Sequence, residues 1–209
     1  MNNKQTGTKE KILYAACDLF AKDGFAGTSV RIIAKEANVN IAAVNYHFNS
    51  KENLYWQTFA KGIDYVESQM NDLDTSLPIE DFVWEMFNVM IKNNTIMINT
   101  FRMMLSGGPA ITPEYESFCQ RGELGPPGTA ILIKAIAPNT KIKNKEAIMW
   151  AIHSIFNCLI HTALMSQTVY VQKVYEGTDQ LTDKKLKLTI VQHTKAIINH
   201  LNANTFPES

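Results

Sequence analysis

Several common signatures are scarce or missing in this chain, and each absence narrows its function. There are only three cysteines in 209 residues, Cys17, Cys119 and Cys158. They are widely spaced and odd in number, so neither a disulfide framework nor a zinc ribbon is expected. Net charge is zero, which argues against a chain that coats nucleic acid or membrane without selectivity. The N-terminus MNNKQTGTKEK has no apolar leader, and a cytoplasmic location is expected. No P-loop, dinucleotide-binding glycine pattern, Ser/His/Asp constellation or metal-ligand spacing is readable. An enzyme is therefore not expected, and neither are a catalytic residue, a cofactor or a metal. Strand-like alternation and internal repeats are also missing, which leaves an all-α chain. One run, between Glu146 and Lys173, has no charged residue at all. It contains His153, Ser154, Asn157, His161 and Gln167, too polar for a lipid-exposed span, and reads as a helix buried between protein surfaces.

What is present begins with helical periodicity. Ile12, Ala15, Ala16, Leu19 and Phe20 fall on one face of a first helix that Thr8 can cap and Gly24 can stop. Val30, Ile33, Ala34 and Ala37 repeat the pattern, with Thr28 or Ser29 as cap and Arg31, Lys35 and Glu36 on the open side. Asn38-Val39-Asn40 then makes a turn: Asn38 tolerates a left-handed backbone, Val39 plugs inward and Asn40 caps the next helix. That third helix runs from about Ile41 to His47, with Val44 and Phe48 facing the core. Ser50 caps a fourth.

Two short helices around such a turn form a helix-turn-helix, whose second helix enters the DNA major groove. Asn45 can present a donor and an acceptor to a base edge, and Ala42 and Ala43 permit close approach to a thymine methyl. Tyr46 and His47 can donate to phosphate oxygens. Lys51, beside the amides that open the fourth helix, is placed for a phosphate. Arg31 and Asn40 complete the candidate DNA-binding set on this side. A plain helical bundle would make Tyr46 a satisfied aromatic and His47 a surface imidazole, and helical spacing does not separate the two readings. The charge distribution adds a little. Residues 1–61 carry eight Lys/Arg against five Asp/Glu, and the remainder twelve against fifteen.

A longer pattern does separate them. The run ACDLF at Ala16–Phe20, then Gly24-Phe25, Thr28-Ser29-Val30, Ile33-Ala34, Ala37, Val39, Tyr46-His47-Phe48, Lys51-Glu52 and Leu54, resembles the DNA-binding domain of the tetracycline-repressor (TetR) family of bacterial regulators. The resemblance spans Ile12 to Leu54. It implies a recognition helix over Ile41–His47 and phosphate contacts from Tyr46, His47, Lys51 and either Thr28 or Ser29. Asn38 stands where a glycine is common in that family.

The expected organisation is a three-helix DNA-binding domain over residues 1–53 and a larger helical effector-binding and dimerisation domain over 54–209, about nine helices in all. The fourth helix continues to about Leu73, and Pro78 starts the next, which runs over residues 79–92. After a turn at Asn93-Asn94, another ends at Gly107-Gly108-Pro109. Residues 114–137 read as two helical pieces broken at Gly125-Pro126-Pro127. Long helices follow over about Lys145–Tyr175 and Asp183–Leu201. Two such helices from each of two subunits would build a four-helix dimer interface, and the resemblance implies the same.

Soft side chains that can line a pocket for an apolar or amphipathic small-molecule effector include Phe87, Met90, Phe101 and Met104, with Phe118 and Trp150. His153, Asn157 and His161 share one helix face, as polar groups of that pocket or, more in keeping with a charge-free helix, of the dimer interface. The expected function is a repressor released from a palindromic operator in double-stranded DNA by its effector, acting as a homodimer away from membranes. The competing reading is a helical ligand-binding or carrier protein whose helix-turn-helix is unused.

Overall fold

The structure is a computed structural model that describes residues 7–91, 95–111, 113, 116 and 127–203. Among these there are ten α-helices and no strand: α1 (Thr8–Gly27), α2 (Val30–Glu36), α3 (Ile41–Phe48), α4 (Lys51–Asn71), α5 (Ile79–Ile91), α6 (Thr95–Ser106), α7 (Thr129–Ile136), α8 (Lys145–Ser166), α9 (Val169–Val174) and α10 (Asp183–Ala203). A short 3-10 turn, Ala137–Asn139, follows α7. The expected turn at Asn93-Asn94 and the break at Gly125-Pro126 lie outside the described residues.

Packing divides the chain into two compact units, Met1–Val66 with Thr95–Gly122, and Glu67–Asn94 with Glu123–Ser209. The division differs from the expected boundary after residue 53. Most of α4, and all of α6, pack with the N-terminal helices. In the first unit Phe20 is completely buried, with the rings of Tyr55 and Phe25 at 5.1 and 6.1 Å. Ile12, Ala16, Ile33, Val44, Phe48 and Leu54 surround this cluster. Apolar burial of this kind is the main favourable term in folding. Polar ties fix the orientation of α6. Tyr55 donates to the buried Met103 carbonyl at 3.1 Å, and Asn99 donates to Asp18 at 2.7 Å. Burial pushes the Asp18 carboxyl above its ordinary range, and the Asn99 bond pulls it back. Gly62 lets α4 and α6 approach closely, since a methyl group there would overlap the Thr100 hydroxyl.

The second unit is built on α5, which is buried on nearly every side: Phe82, Val83, Trp84, Met86, Phe87, Asn88 and Met90 are all covered. The stripe Leu186, Ile190, Thr194, Ile198 and Leu201 of α10 is also buried, and α10 packs on α5 and α8. At its edge Lys187 reaches Asp81 at 3.2 Å and Lys195 reaches Glu80 at 3.4 Å, exposed pairs worth about 0–1 kcal/mol each.

Two expected helix limits change. Gly7, not Thr8, holds the N-cap position of α1, with no side-chain capping bond. The expected helix from Lys145 to Tyr175 ends at Ser166, because Thr168 caps a separate short helix: its Oγ1 accepts the Val171 amide at 3.3 Å while donating to the Met165 carbonyl at 3.0 Å. By length and composition, α8 could cross a membrane, with 33% of its most apolar window buried. Its outward stripe nevertheless holds His153, Ser154, Asn157 and His161, whose polar groups need hydrogen-bond partners that hydrocarbon cannot supply.

Candidate nucleic-acid interface

The helix-turn-helix is assembled from caps inward. Ser29 is the N-cap of α2, its Oγ accepting the Ile32 amide at 3.2 Å. Asn38 closes the turn with φ +52°, the left-handed conformation that asparagine tolerates best after glycine. Asn40 caps α3, its Oδ1 accepting the Ala42 amide at 2.9 Å. Val44 and Phe48 anchor α3 in the core. At its far end Asn53 donates to the Phe48 carbonyl at 2.9 Å, satisfying a terminal acceptor that the helix cannot pair itself.

With Val44 and Phe48 buried, helical periodicity turns Ala42, Asn45 and Tyr46 outward together, and all three are exposed. Tyr46 is 82% exposed. Ala43 and His47 are half-buried on the flank, the His47 ring lying edge-on to Tyr46 at 5.2 Å. Arg31, Ser29 and Asn40 are exposed as well. Most of the sequence-derived DNA-binding residues are thus exposed or half-buried.

Two are not presented as expected. Thr28 is only 3% exposed. Its hydroxyl bonds inward, 2.8 Å from the Gly24 carbonyl and 3.2 Å from that of Leu19, so of the Thr28/Ser29 pair only Ser29 has a hydroxyl at the surface. The Lys51 ammonium also turns inward, 2.8 Å from the Phe25 carbonyl and 3.0 Å from that of Thr28. One surface residue was passed over: Ile41, 41% exposed in the first turn of α3, an apolar group beside Ala42. Periodicity hides it: Ile41 lies three and seven residues before Val44 and Phe48, so spacing groups it with the buried stripe.

The suggested effector residues are divided between the two units. Phe87 and Met90 are fully buried in the second unit, and Phe101 is buried in the first. Met104 is exposed, and Phe118 lies outside the described residues. Trp150, His153 and Asn157 are exposed on the outer side of α8. They face away from its packed stripe of Ala147, Ala151, Ile155, Leu159 and Ala163. A cleft in the first unit, lined by Leu13, Tyr14, Cys17, Gly62, Tyr65 and Ile96 among others, has a volume of about 30 Å³. Burial pushes the Cys17 thiol up to about 12, so it stays protonated and unreactive.

A capped second helix, anchored on its inner side and free on its outer side, defines a helix-turn-helix DNA-binding module. Residues 12–57 match the family described as bacterial regulatory proteins, tetR family. The chain is 32% identical over 91 residues to a Bacillus subtilis (strain 168) protein named "Probable HTH-type transcriptional regulator YttP", across 40% of this chain and 44% of that one. It is 38% identical over 60 residues to the biofilm operon icaADBC HTH-type negative transcriptional regulator IcaR of Staphylococcus aureus (strain Newman), across 29% of this chain and 32% of that one. The matched stretch spans less than half the length of these curated relatives. The fold likeness covers far more. A transcriptional regulator from Rhodococcus sp. Rha1 superposes with a TM-score of 0.66 at 16% identity, over 93% of this chain and 97% of that one. A regulator from Aquifex aeolicus VF5 gives 0.60 at 21% identity, over 91% and 99%.

Proposed function

We propose that this chain is a DNA-binding transcriptional regulator, a repressor that binds a palindromic operator as a homodimer and is released by a small apolar or amphipathic effector. The observation that carries the reading is the exposed Ala42–Asn45–Tyr46 face of α3 on a tetR-type module. IcaR, matched over that module, is named a negative regulator, which supports repression. Asn45 reads a base edge through its amide. Ser29, Arg31, Tyr46 and His47 hold register on phosphates, with Ile41, Ala42 and Ala43 in apolar contact with the groove.

The dimer face is the outer stripe of α8, where Trp150, His153, Ser154, Asn157, His161 and Met165 run the length of the helix without a charge. An effector held in the second unit acts through α4, the helix common to both units. It releases DNA only in so far as it prefers the conformation that does not bind the operator.

Selection of bound duplexes from random DNA followed by mobility shifts tests the reading. Asn45→Ala is expected to lose about 1–3 kcal/mol of discrimination at one base position in each half-site, with binding to mixed-sequence DNA retained. Failure of the wild-type chain to enrich any sequence would overturn the proposal.

A further inference from the structure

Lys51 opens α4, directly after the recognition helix, yet its ammonium lies at the opposite end of the helix-turn-helix. It donates to the Phe25 carbonyl at 2.8 Å and the Thr28 carbonyl at 3.0 Å, and sits 4.1 Å from the centroid of the Phe25 ring. An ammonium has three donors and no acceptor. Two of the three are taken here, and the ring face supplies a cation–π contact.

The acceptors are available for a local reason. Gly24 breaks α1 with φ +71°, which frees carbonyls at the negative end of that helix, where a cation is favoured. The Thr28 hydroxyl ties the same turn to the Gly24 and Leu19 carbonyls. Phe25 is held in turn by Tyr55 at 5.5 Å, one turn along α4 from Lys51.

One side chain therefore joins the entry of α2 to the start of α4, and the 26-residue separation between Phe25 and Lys51 contains the whole of α2, the turn and α3. We infer that Lys51 is a positioning residue that staples the helix-turn-helix shut and sets the aim of α3, and that direct phosphate contact is not its main role. The inference rests on the DNA-binding reading for its functional consequence, but the staple itself is measurable without DNA.

The experiment uses Lys51→Met, which keeps the aliphatic stem, and Lys51→Arg, which keeps the charge but replaces a compact ammonium with a planar fork. Two quantities are read: amide exchange at residues 25–30 in the free protein, and the salt dependence of affinity for a duplex selected by the wild-type protein. For Lys51→Met, protection at residues 25–30 is expected to fall about tenfold. Affinity falls about tenfold as well, a change of about 1.4 kcal/mol, with the slope of log affinity on log salt unchanged. Lys51→Arg is expected to lose affinity too, again with an unchanged slope.

A phosphate ligand behaves in the opposite way. Its loss flattens the slope by about 0.9 and leaves amide protection alone, and arginine replaces it without penalty. That set of results would overturn the staple. If Lys51→Met does not fold, Lys51→Arg decides: full wild-type affinity and protection refute the inference, and reduced protection with an unchanged slope supports it. If the wild-type chain selects no DNA, the DNA-binding reading fails, and the staple still stands or falls on amide exchange.

Discussion

Phe20→Ala is expected to unfold the DNA-reading unit under conditions where the wild-type protein is stable. Phe20 is fully buried at the point where α1 meets Phe25 and Tyr55, in the same cluster as Ile33, Val44 and Phe48. Truncating such a ring removes its burial energy and leaves a cavity that helices pinned at several points cannot close. The usual cost is about 3–5 kcal/mol, against a total stability of about 5–15 kcal/mol for a typical domain. For a unit of this size each kcal/mol lowers the midpoint by roughly 4–8 °C, so a fall of at least about 12 °C is expected in the first thermal transition. Operator binding should be lost with it. Tyr46→Ala is the control: the side chain is 82% exposed, so stability should move by less than about 0.5 kcal/mol while DNA affinity drops. Thermal melts followed by circular dichroism, with mobility shifts on both variants, check this. A midpoint for Phe20→Ala within about 4 °C of wild type would contradict the core assignment.

The module that Phe20 supports was the most legible part of the chain. Its signals agree at several levels: a 3.6-residue apolar period, capping residues at the starts of α2, α3 and α4 and an asparagine in the turn that takes φ +52°. Where two similar residues compete, sequence does not decide. Thr28 and Ser29 both suit a cap, and only coordinates show Ser29 accepting the Ile32 amide while Thr28 bonds inward. The direction of Lys51 was equally hidden. A lysine at the start of a helix suggests a phosphate, and the acceptors that capture it lie more than twenty residues earlier, exposed by the break at Gly24.

The body was read less well, for a different reason. Methionine and aromatic spacing assigns a face only when a helix has an exposed side, and α5 has almost none. Phe87 and Met90 therefore fit a core as well as a pocket. In α8 the difficulty is that charge, the usual marker of an outer face, is missing. His153, Asn157 and His161 share one face, but nothing in the sequence shows that the face points outward. The break before α9 depends on one hydroxyl, that of Thr168, which did not stand out in a run without proline or glycine.

That same outward face carries the second large expectation: Asn157→Lys should convert the proposed dimer to monomer without unfolding the subunit. Asn157 is exposed, so a lysine there costs the isolated chain little. Its surroundings on α8 are Trp150, His153, Ser154 and His161, with no Lys, Arg, Asp or Glu among them. The neighbouring flank of α10 is similar. Trp150 meets the His200 ring at 4.9 Å, and His193 lies two helical turns before His200 on that side. The lysines Lys187 and Lys195 occupy the other flank, paired with Asp81 and Glu80 of α5. A two-fold interface presents the same patch twice, so the substitution places two unpaired charges of one sign in the contact. Leaving one buried charge without its partner costs about 3–5 kcal/mol, and the dimerisation constant should fall by at least about a hundredfold. Operator binding falls further, because recognition helices roughly 34–36 Å apart must be held together to meet both half-sites. Sedimentation equilibrium at micromolar concentration, with circular dichroism as the folding control, measures both. An Asn157→Lys protein that is folded, dimeric and fully able to bind operator would place the subunit contact on another surface.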